Sequence, residues 1–158
     1  MLKLDLRNAY NTISRDGCLK GVAEVAPSIL AWSDWILSTD TPVRWQGKTI
    51  QCRSGVQQGS PLAPIYFSLG LHPTVEEIAL NYNLKSLWYF DDGVLVGRYE
   101  EVINVAEELA IKLQAIGLTL NWDKCELYSS ITRSSCTIPQ ITDSKLYPTV
   151  HRFVTRQQ

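Results

Sequence analysis

Charge of one sign is what this sequence has least of. Lys and Arg number 15 against 16 Asp and Glu, for a net charge of −1. Composition therefore points to no polyanion-binding class, and a nucleic-acid surface would have to be a local patch or be completed by a partner. The four cysteines, Cys18, Cys52, Cys125 and Cys136, are scattered, with no CxxC and no His/Cys ligand spacing. That speaks against structural zinc and predicts reduced, mostly buried thiols of an intracellular protein, with nucleus and cytoplasm left open. There is no signal peptide and no apolar run of membrane-spanning length, so no membrane partner is expected. Internal repeats and low-complexity tracts are absent too.

Apolar residues are plentiful. At 45% of 158 residues they exceed what a disordered chain carries, and the length is that of one domain with a real core. Leu2, Leu4 and Leu6 alternate with Lys3 and Asp5, the period of a half-buried strand that turns Asp5 away from the leucines. Ser14 reads as a helix N-cap with Asp16 in the first turn. Leu19, Val22, Ala23 and Ala26 continue that helix, and a second runs from Ile29 to Leu37, with Trp32 and Trp35 expected in the core. Pro42 to Arg53 reads as a hairpin turning at Gln46-Gly47-Lys48. It leads into Ser54-Gly-Val-Gln-Gln-Gly-Ser-Pro-Leu-Ala-Pro64, a Gly-rich loop before an apolar helix, Ile65 to Leu71, which Pro73 should break or kink. Such a loop suits an anion or nucleotide, although an ordinary loop-to-helix junction is the commoner case. Glu100 to Ile116 is the clearest amphipathic helix, with Gly117 as its stop. The order β-α-α-β-β-α-β-β-α-β predicts an α+β fold, an antiparallel sheet with helices packed on one face. From Ser129 onward the signal weakens.

The stretch Ser86-Leu-Trp-Tyr-Phe-Asp-Asp-Gly-Val-Leu-Val-Gly97 stands apart. Asp-Gly between apolar runs is a strong hairpin signal and predicts positive φ at Gly93, with Asp91 and Asp92 at the apex. Adjacent carboxylates repel, and a divalent metal would offset that; taken alone, the pair is more often an ordinary solvated turn. If the strand of Asp5 lies beside this hairpin, three carboxylates converge. Such a cluster suits two Mg²⁺ ions, roughly 4 Å apart, and phosphoryl or nucleotidyl transfer. Lys124 could protonate a departing pyrophosphate or be a solvated turn lysine.

Four segments together resemble the palm of a reverse transcriptase, an RNA-directed DNA polymerase, especially those of eukaryotic non-LTR retroelements. They are Leu4-Asp5-Leu-Arg-Asn-Ala-Tyr10-Asn11, Gly55-Val-Gln-Gln58-Gly59-Ser-Pro61-Leu-Ala-Pro64, Tyr89-Phe90-Asp91-Asp92 and Gly117-Leu118-Thr-Leu-Asn121-Trp-Asp-Lys124, in the family's order. The resemblance implies metal ligation by Asp5, Asp91, Asp92 and the carbonyl of Leu6, with Mg²⁺ or Mn²⁺ as cofactor. It makes Tyr10 a steric gate against the ribose 2′-hydroxyl, and packs Gln58 and Gly59 against the nucleotide. Tyr89 and Phe90 would lie beside the primer terminus, with Lys124 as general acid. Implied partners are an RNA or DNA template with primer and deoxynucleoside triphosphates.

The resemblance covers residues 1–127, read as the palm, with 128–158 as a loosely ordered tail. Because Asp5 is only the fifth residue and no thumb is recognisable after Leu127, fingers and thumb are expected to be missing or supplied by a separate chain. There is no endonuclease or RNase H signature. Two other readings stand beside this one. A catalytically inert retroelement remnant with weak nucleic-acid or protein binding fits the truncation. An RNA-dependent RNA polymerase palm shares the paired-Asp hairpin, but Tyr10 and the Gln-Gly-Ser-Pro loop argue against it.

Overall fold

The structure, a computed structural model, describes residues 1–128. The expected tail lies outside the described residues except for Tyr128.

The central layer is a four-stranded antiparallel sheet in the order β4-β5-β1-β6. Its strands are β1 (Leu2–Asp5), β4 (Lys85–Tyr89), β5 (Asp92–Val96) and the short β6 (Glu126–Leu127). The two-residue period anticipated for β1 holds: Leu2 and Leu4 are fully buried while Lys3 is exposed. In register with them, Gly93 and Leu95 of β5 are buried, so one face of the sheet is core. The opposite face, with Lys3, Asp5, Asp92 and Tyr89, is open. Tyr128 continues the β6 pairing, its N–H donating to the Met1 carbonyl at 2.8 Å.

Helices α1 (Ala9–Thr12), α2 (Arg15–Val25), α3 (Leu30–Leu37), α4 (Ala63–Asn81) and α5 (Tyr99–Ala115) supply the rest of the core. Ser14 caps α2 as anticipated, accepting from the Gly17 N–H at 3.3 Å. Val102, Val105, Ala106, Leu109 and Leu113 form the buried stripe of α5, and Gly117 ends it at φ +78°. A 3-10 turn at Pro27–Ile29 precedes α3, which therefore starts one residue later than expected. Among the described residues no helix is long and apolar enough to cross a membrane. Cys18 and Cys125 are buried free thiols and Cys52 is half-buried; Cys136 lies outside the described residues.

Three expectations are corrected. Pro73 does not break its helix: α4 runs through it to Asn81. Proline has no N–H to give the carbonyl four residues back, that of Leu69. That carbonyl is where α2 comes closest, for a Cβ on Gly21 would lie 2.2 Å from Leu69 O. The crossing helix thus covers the position the proline leaves open. Trp32 and Trp35 are not core; they are 56% and 66% exposed, packed on each other at 5.2 Å between ring centroids. Apolar character alone did not orient α3, whose buried face instead carries Ser33 and Leu37. The third correction concerns the Asp-Asp turn.

A second, two-stranded sheet stands apart from the first: β2 (Thr41–Trp45) and β3 (Lys48–Cys52). Gln46 and Gly47 turn it with φ of +48° and +75°, the two positive values of a type I′ hairpin.

Candidate active site

The β4–β5 turn is Phe90-Asp91, not Asp-Gly. Tyr89 pairs with Asp92, leaving Phe90 and Asp91 as the two central residues. Positive φ falls on Phe90, at +54°, as at the first central position of a type II′ turn. Gly93 is a strand residue whose missing side chain matters for another reason. The Trp88 indole lies over it, and a Cβ there would come within 2.6 Å of the ring. Trp88 is held by its own Nε1–H, which donates to Ser86 Oγ at 2.8 Å.

This shift of the turn places the acids. Asp92 opens β5 directly opposite Asp5 at the end of β1, and Asp91 stands in the turn beside them. The phase of the ladder follows from its edges. The Asn121 N–H donates to the Asp5 carbonyl at 2.8 Å and the Arg7 N–H to the Thr119 carbonyl at 2.8 Å, flanking the Leu6–Leu120 bridge. Asp5 thus turns its peptide groups toward the 119–121 segment. Asp5–Asp92 is therefore a non-hydrogen-bonded pair, the type whose side chains stand closer, and the Leu6 carbonyl turns the other way, toward the Phe90-Asp91 turn. Among the described residues no three His, Cys, Asp or Glu side chains are gathered tightly enough to hold a metal ion. Without a cation between them carboxylates repel, so a loose arrangement is the expected one.

A 3-10 turn at Trp122–Lys124 brings Lys124 Nζ to 4.0 Å from Asp5 Oδ1. Lys124 is largely exposed, so this pair adds little stability. Next to it the Cys125 thiol is buried, and burial first, then the Asp5 charge, raises its pKa.

Tyr10 enters from α1 and stacks on Phe67 of α4, with centroids 4.7 Å apart and planes 9° from parallel. Burial, with Asp91 and Tyr89 as further contributors, raises the pKa of its phenol. Tyr89 packs edge-on against Phe90 at 4.8 Å and is 74% exposed. Gln58 and Gly59 are exposed on the loop before α4. Gln58 Nε2 comes to 3.5 Å from Asn11 Oδ1, and Gly59 has φ +90° with open space where a side chain would be.

Residues outside the motifs, Ile13 and Arg15, help to hold that loop. The Val56 N–H donates to the Tyr10 carbonyl at 2.7 Å and the Gly55 N–H to the Ile13 carbonyl at 2.9 Å. Arg15 Nε donates to the Gly55 carbonyl at 2.9 Å, while its Nη1 reaches the carbonyls of Leu37 at 3.1 Å and Thr39 at 3.0 Å. One guanidinium joins the loop to the junction of α3 and β2. A cation in the first turn of a helix opposes the helix dipole. That misplaced charge is the sequence signal that Arg15 is spent elsewhere.

Residues 1–148 match the family described as "Reverse transcriptase (RNA-dependent DNA polymerase)". The chain belongs to this family. Among curated relatives it is 33% identical over 132 residues to the "Retrotransposable element SLACS 132 kDa protein" of Trypanosoma brucei gambiense, covering 78% of this chain and 11% of that protein. It is 28% identical over 157 residues to the "Retrovirus-related Pol polyprotein from type-1 retrotransposable element R2" of Popillia japonica, covering 89% and 26%. These relatives agree with a reverse transcriptase of the non-LTR retroelement type, and the chain spans only a small part of their length. Among solved structures, apo telomerase from Candida tropicalis superposes with a TM-score of 0.65 at 12% identity, over 78% of this chain and 27% of that one. Telomerase from Candida tropicalis in complex with a fragment of telomeric RNA gives 0.62 at 14% identity, over 78% and 25%. Likeness at that identity shows the fold, a polymerase palm. The family match reaches 21 residues past Leu127, the end of the segment the motifs mark.

Proposed function

We propose that residues 1–127 are the palm of an RNA-directed DNA polymerase that adds deoxynucleotides to a primer 3′-hydroxyl by two-metal nucleotidyl transfer. One observation carries the reading: Asp5 opposite Asp92, with Asp91 in the adjoining turn. These three carboxylates and the Leu6 carbonyl are an oxygen-only donor set at one end of the sheet. It fits a hard divalent cation, Mg²⁺ or Mn²⁺. Bound there, the metal would activate the attacking hydroxyl and neutralise charge on the triphosphate.

The remaining roles belong to the chain. Tyr10, braced by Phe67, occupies the space a ribose 2′-hydroxyl would need and so selects deoxynucleotides. Gln58 and Gly59 pack against the incoming nucleotide, the open space at Gly59 admitting it closely. Tyr89 and Phe90 lie beside the primer terminus. Lys124, held near Asp5 by its turn, gives a proton to the departing pyrophosphate. The partners are an RNA or DNA template with its primer and deoxynucleoside triphosphates. The grip on template and primer comes from fingers and thumb outside residues 1–127, on a separate chain or a longer one.

The test is primer extension on an RNA template with deoxynucleotides and Mg²⁺ or Mn²⁺, with Asp91→Asn/Asp92→Asn as control. Extension by the wild type alone supports the reading. Extension by the folded double variant removes the metal assignment, and none by a folded wild type moves the function to an inert remnant.

A further inference from the structure

Trp88 and Gly93 face each other across the β4–β5 ladder, one step behind the row of Tyr89, Asp92 and Asp5. Asp92 and Asp5 form a non-hydrogen-bonded pair, so the peptide groups of Asp92 turn toward Tyr89. Trp88–Gly93 is then again a pair of the closer, non-hydrogen-bonded type. The six-membered ring of the indole fills the seat that Gly93 leaves, for a Cβ there would lie 2.6, 2.7 and 2.9 Å from three of its carbons. The indole N–H donates to Ser86 Oγ at 2.8 Å, on the same face of the same strand. Leu4, fully buried, closes the row on the other side of Gly93. An aromatic side chain laid over a cross-strand glycine pins strand register.

This lock has a competitor to resist. Asp92-Gly93 is the locally preferred turn, with Gly93 taking the positive φ. The chain turns at Phe90-Asp91 instead and puts a φ of +54° on a phenylalanine, a strained choice. With Asp92-Gly93 at the centre of the turn, Asp91 would pair with Val94 and Trp88 with Gly97, and Asp92 would leave the strand. The seat over Gly97 is taken, however. A Cβ there would lie 3.1 Å from the Leu84 side chain and 3.4 Å from that of Val102 in α5. Of the two registers, the observed one seats the indole.

We propose that Trp88 is a positioning residue: seated on Gly93, its indole fixes the register that stands Asp92 opposite Asp5 and so keeps the acids placed for a divalent cation. The metal half of this rests on the polymerase reading above; the register half stands on the ladder itself.

The test uses the full chain, with Mn²⁺ as the probe. The Hα–Hα nuclear Overhauser contact between Asp5 and Asp92, read by NMR without metal, reports the register. Mn²⁺ affinity, read by electron paramagnetic resonance, reports the site. Trp88→Leu keeps an apolar side chain but should lose the contact and bind Mn²⁺ about 10-fold more weakly, the low end of the loss when a group that orients metal ligands is removed. Trp88→Phe should keep most of both. Gly93→Ala should act like Trp88→Leu, although alanine suits a strand interior better than glycine. Added to Trp88→Leu it should change little further, because the ring it would displace is gone. Circular dichroism and thermal melting check folding; should Trp88→Leu unfold, Gly93→Ala carries the test. A folded Trp88→Leu that is less stable yet keeps the Asp5–Asp92 contact and wild-type Mn²⁺ affinity makes Trp88 a packing residue only and overturns the proposal. So does a Gly93→Ala protein unchanged in both. The two readings fail separately. A wild type that binds no Mn²⁺, with variants that lose the contact, removes the metal site and keeps the register lock. Tight Mn²⁺ binding that no Trp88 or Gly93 variant alters does the reverse.

Discussion

Asp5 and Asp92 face each other across the β1–β5 ladder in the closer, non-hydrogen-bonded type of pair, with the Lys124 ammonium 4.0 Å from Asp5. Like charges directly opposite on a sheet cost stability, which is a poor arrangement for a fold and a useful one for a cation site.

Replacing one of the pair should therefore separate stability from activity. Without divalent metal, Asp92→Asn should be about 0.2–1 kcal/mol more stable than wild type in urea unfolding. With Mg²⁺ or Mn²⁺ the wild type should gain stability and the variant gain less, because a ligand of the native state stabilises by its binding free energy. Primer extension by the variant should be abolished. A variant no more stable than wild type in the absence of metal would count against the facing-carboxylate account.

Tyr10 supports two measurable effects. Removing its ring from Phe67 in Tyr10→Val should cost about 0.5–1.5 kcal/mol of aromatic pairing beyond lost burial. The same change should raise ribonucleotide incorporation relative to deoxynucleotide. Unaltered sugar discrimination with the expected loss of stability would leave Tyr10 a packing residue only.

The Arg15 guanidinium serves three backbone carbonyls, a geometry that a lysine ammonium on a flexible stem cannot reproduce. Arg15→Lys should cost about 1.5–3 kcal/mol, the range for hydrogen bonds to a charged group. Hydrogen exchange should quicken at the Gly55 and Val56 amides, whose bonds to Ile13 and Tyr10 hold the loop. Unchanged protection there would show that the loop is held without Arg15.

Two glycines with nearly the same φ should respond differently to alanine. Gly47 has φ +75° and open space around it, so Gly47→Ala should cost only about 1–2 kcal/mol of left-handed strain. Gly55 has φ +74°, but a Cβ there would lie 2.4 Å from the Asn11 backbone. Overpacking adds to the strain, and Gly55→Ala should cost about 2–5 kcal/mol. Equal costs in chemical denaturation would refute the close approach.

Burial pushes the Cys18 thiol up to about 12, from 9.0 unfolded. The folded value is the raised one, so the stabilisation is fully present below pH 9 and is lost as pH rises toward 12. At pH 10.5 the wild type should have lost about 2 kcal/mol more, relative to pH 7, than Cys18→Ala has. Parallel pH profiles for the two proteins would contradict this.

Much of the fold is legible in local pattern. β1, the Ser14 cap, the Gln46-Gly47 turn and the stripe of α5 are written in periods and turn residues, and each forms as read. The misreadings share a cause. Pro73 reads as a breaker because the sequence does not show α2 crossing at Leu69. Trp32 and Trp35 read as core because composition gives hydrophobicity but not which side of α3 meets α2. Asp-Gly reads as a turn because the partner of Gly93, the Trp88 ring, is set by strand pairing.

The candidate site divides along the same line. The four motifs, their order and the residue types they hold are properties of the sequence alone, and they carry the family. Which acids meet is not. A shift of one residue in the β4–β5 turn would put Asp92 out of the strand and turn the neighbouring side chains to the other face, since strand side chains alternate. Only the tertiary structure, through Tyr89 pairing with Asp92 and Asp92 with Asp5, decides that the last acid of the hairpin faces the acid of the first strand. Arg15 is the same case: its bonds join segments up to 40 residues away, and a contact at that separation is set by packing rather than by local pattern.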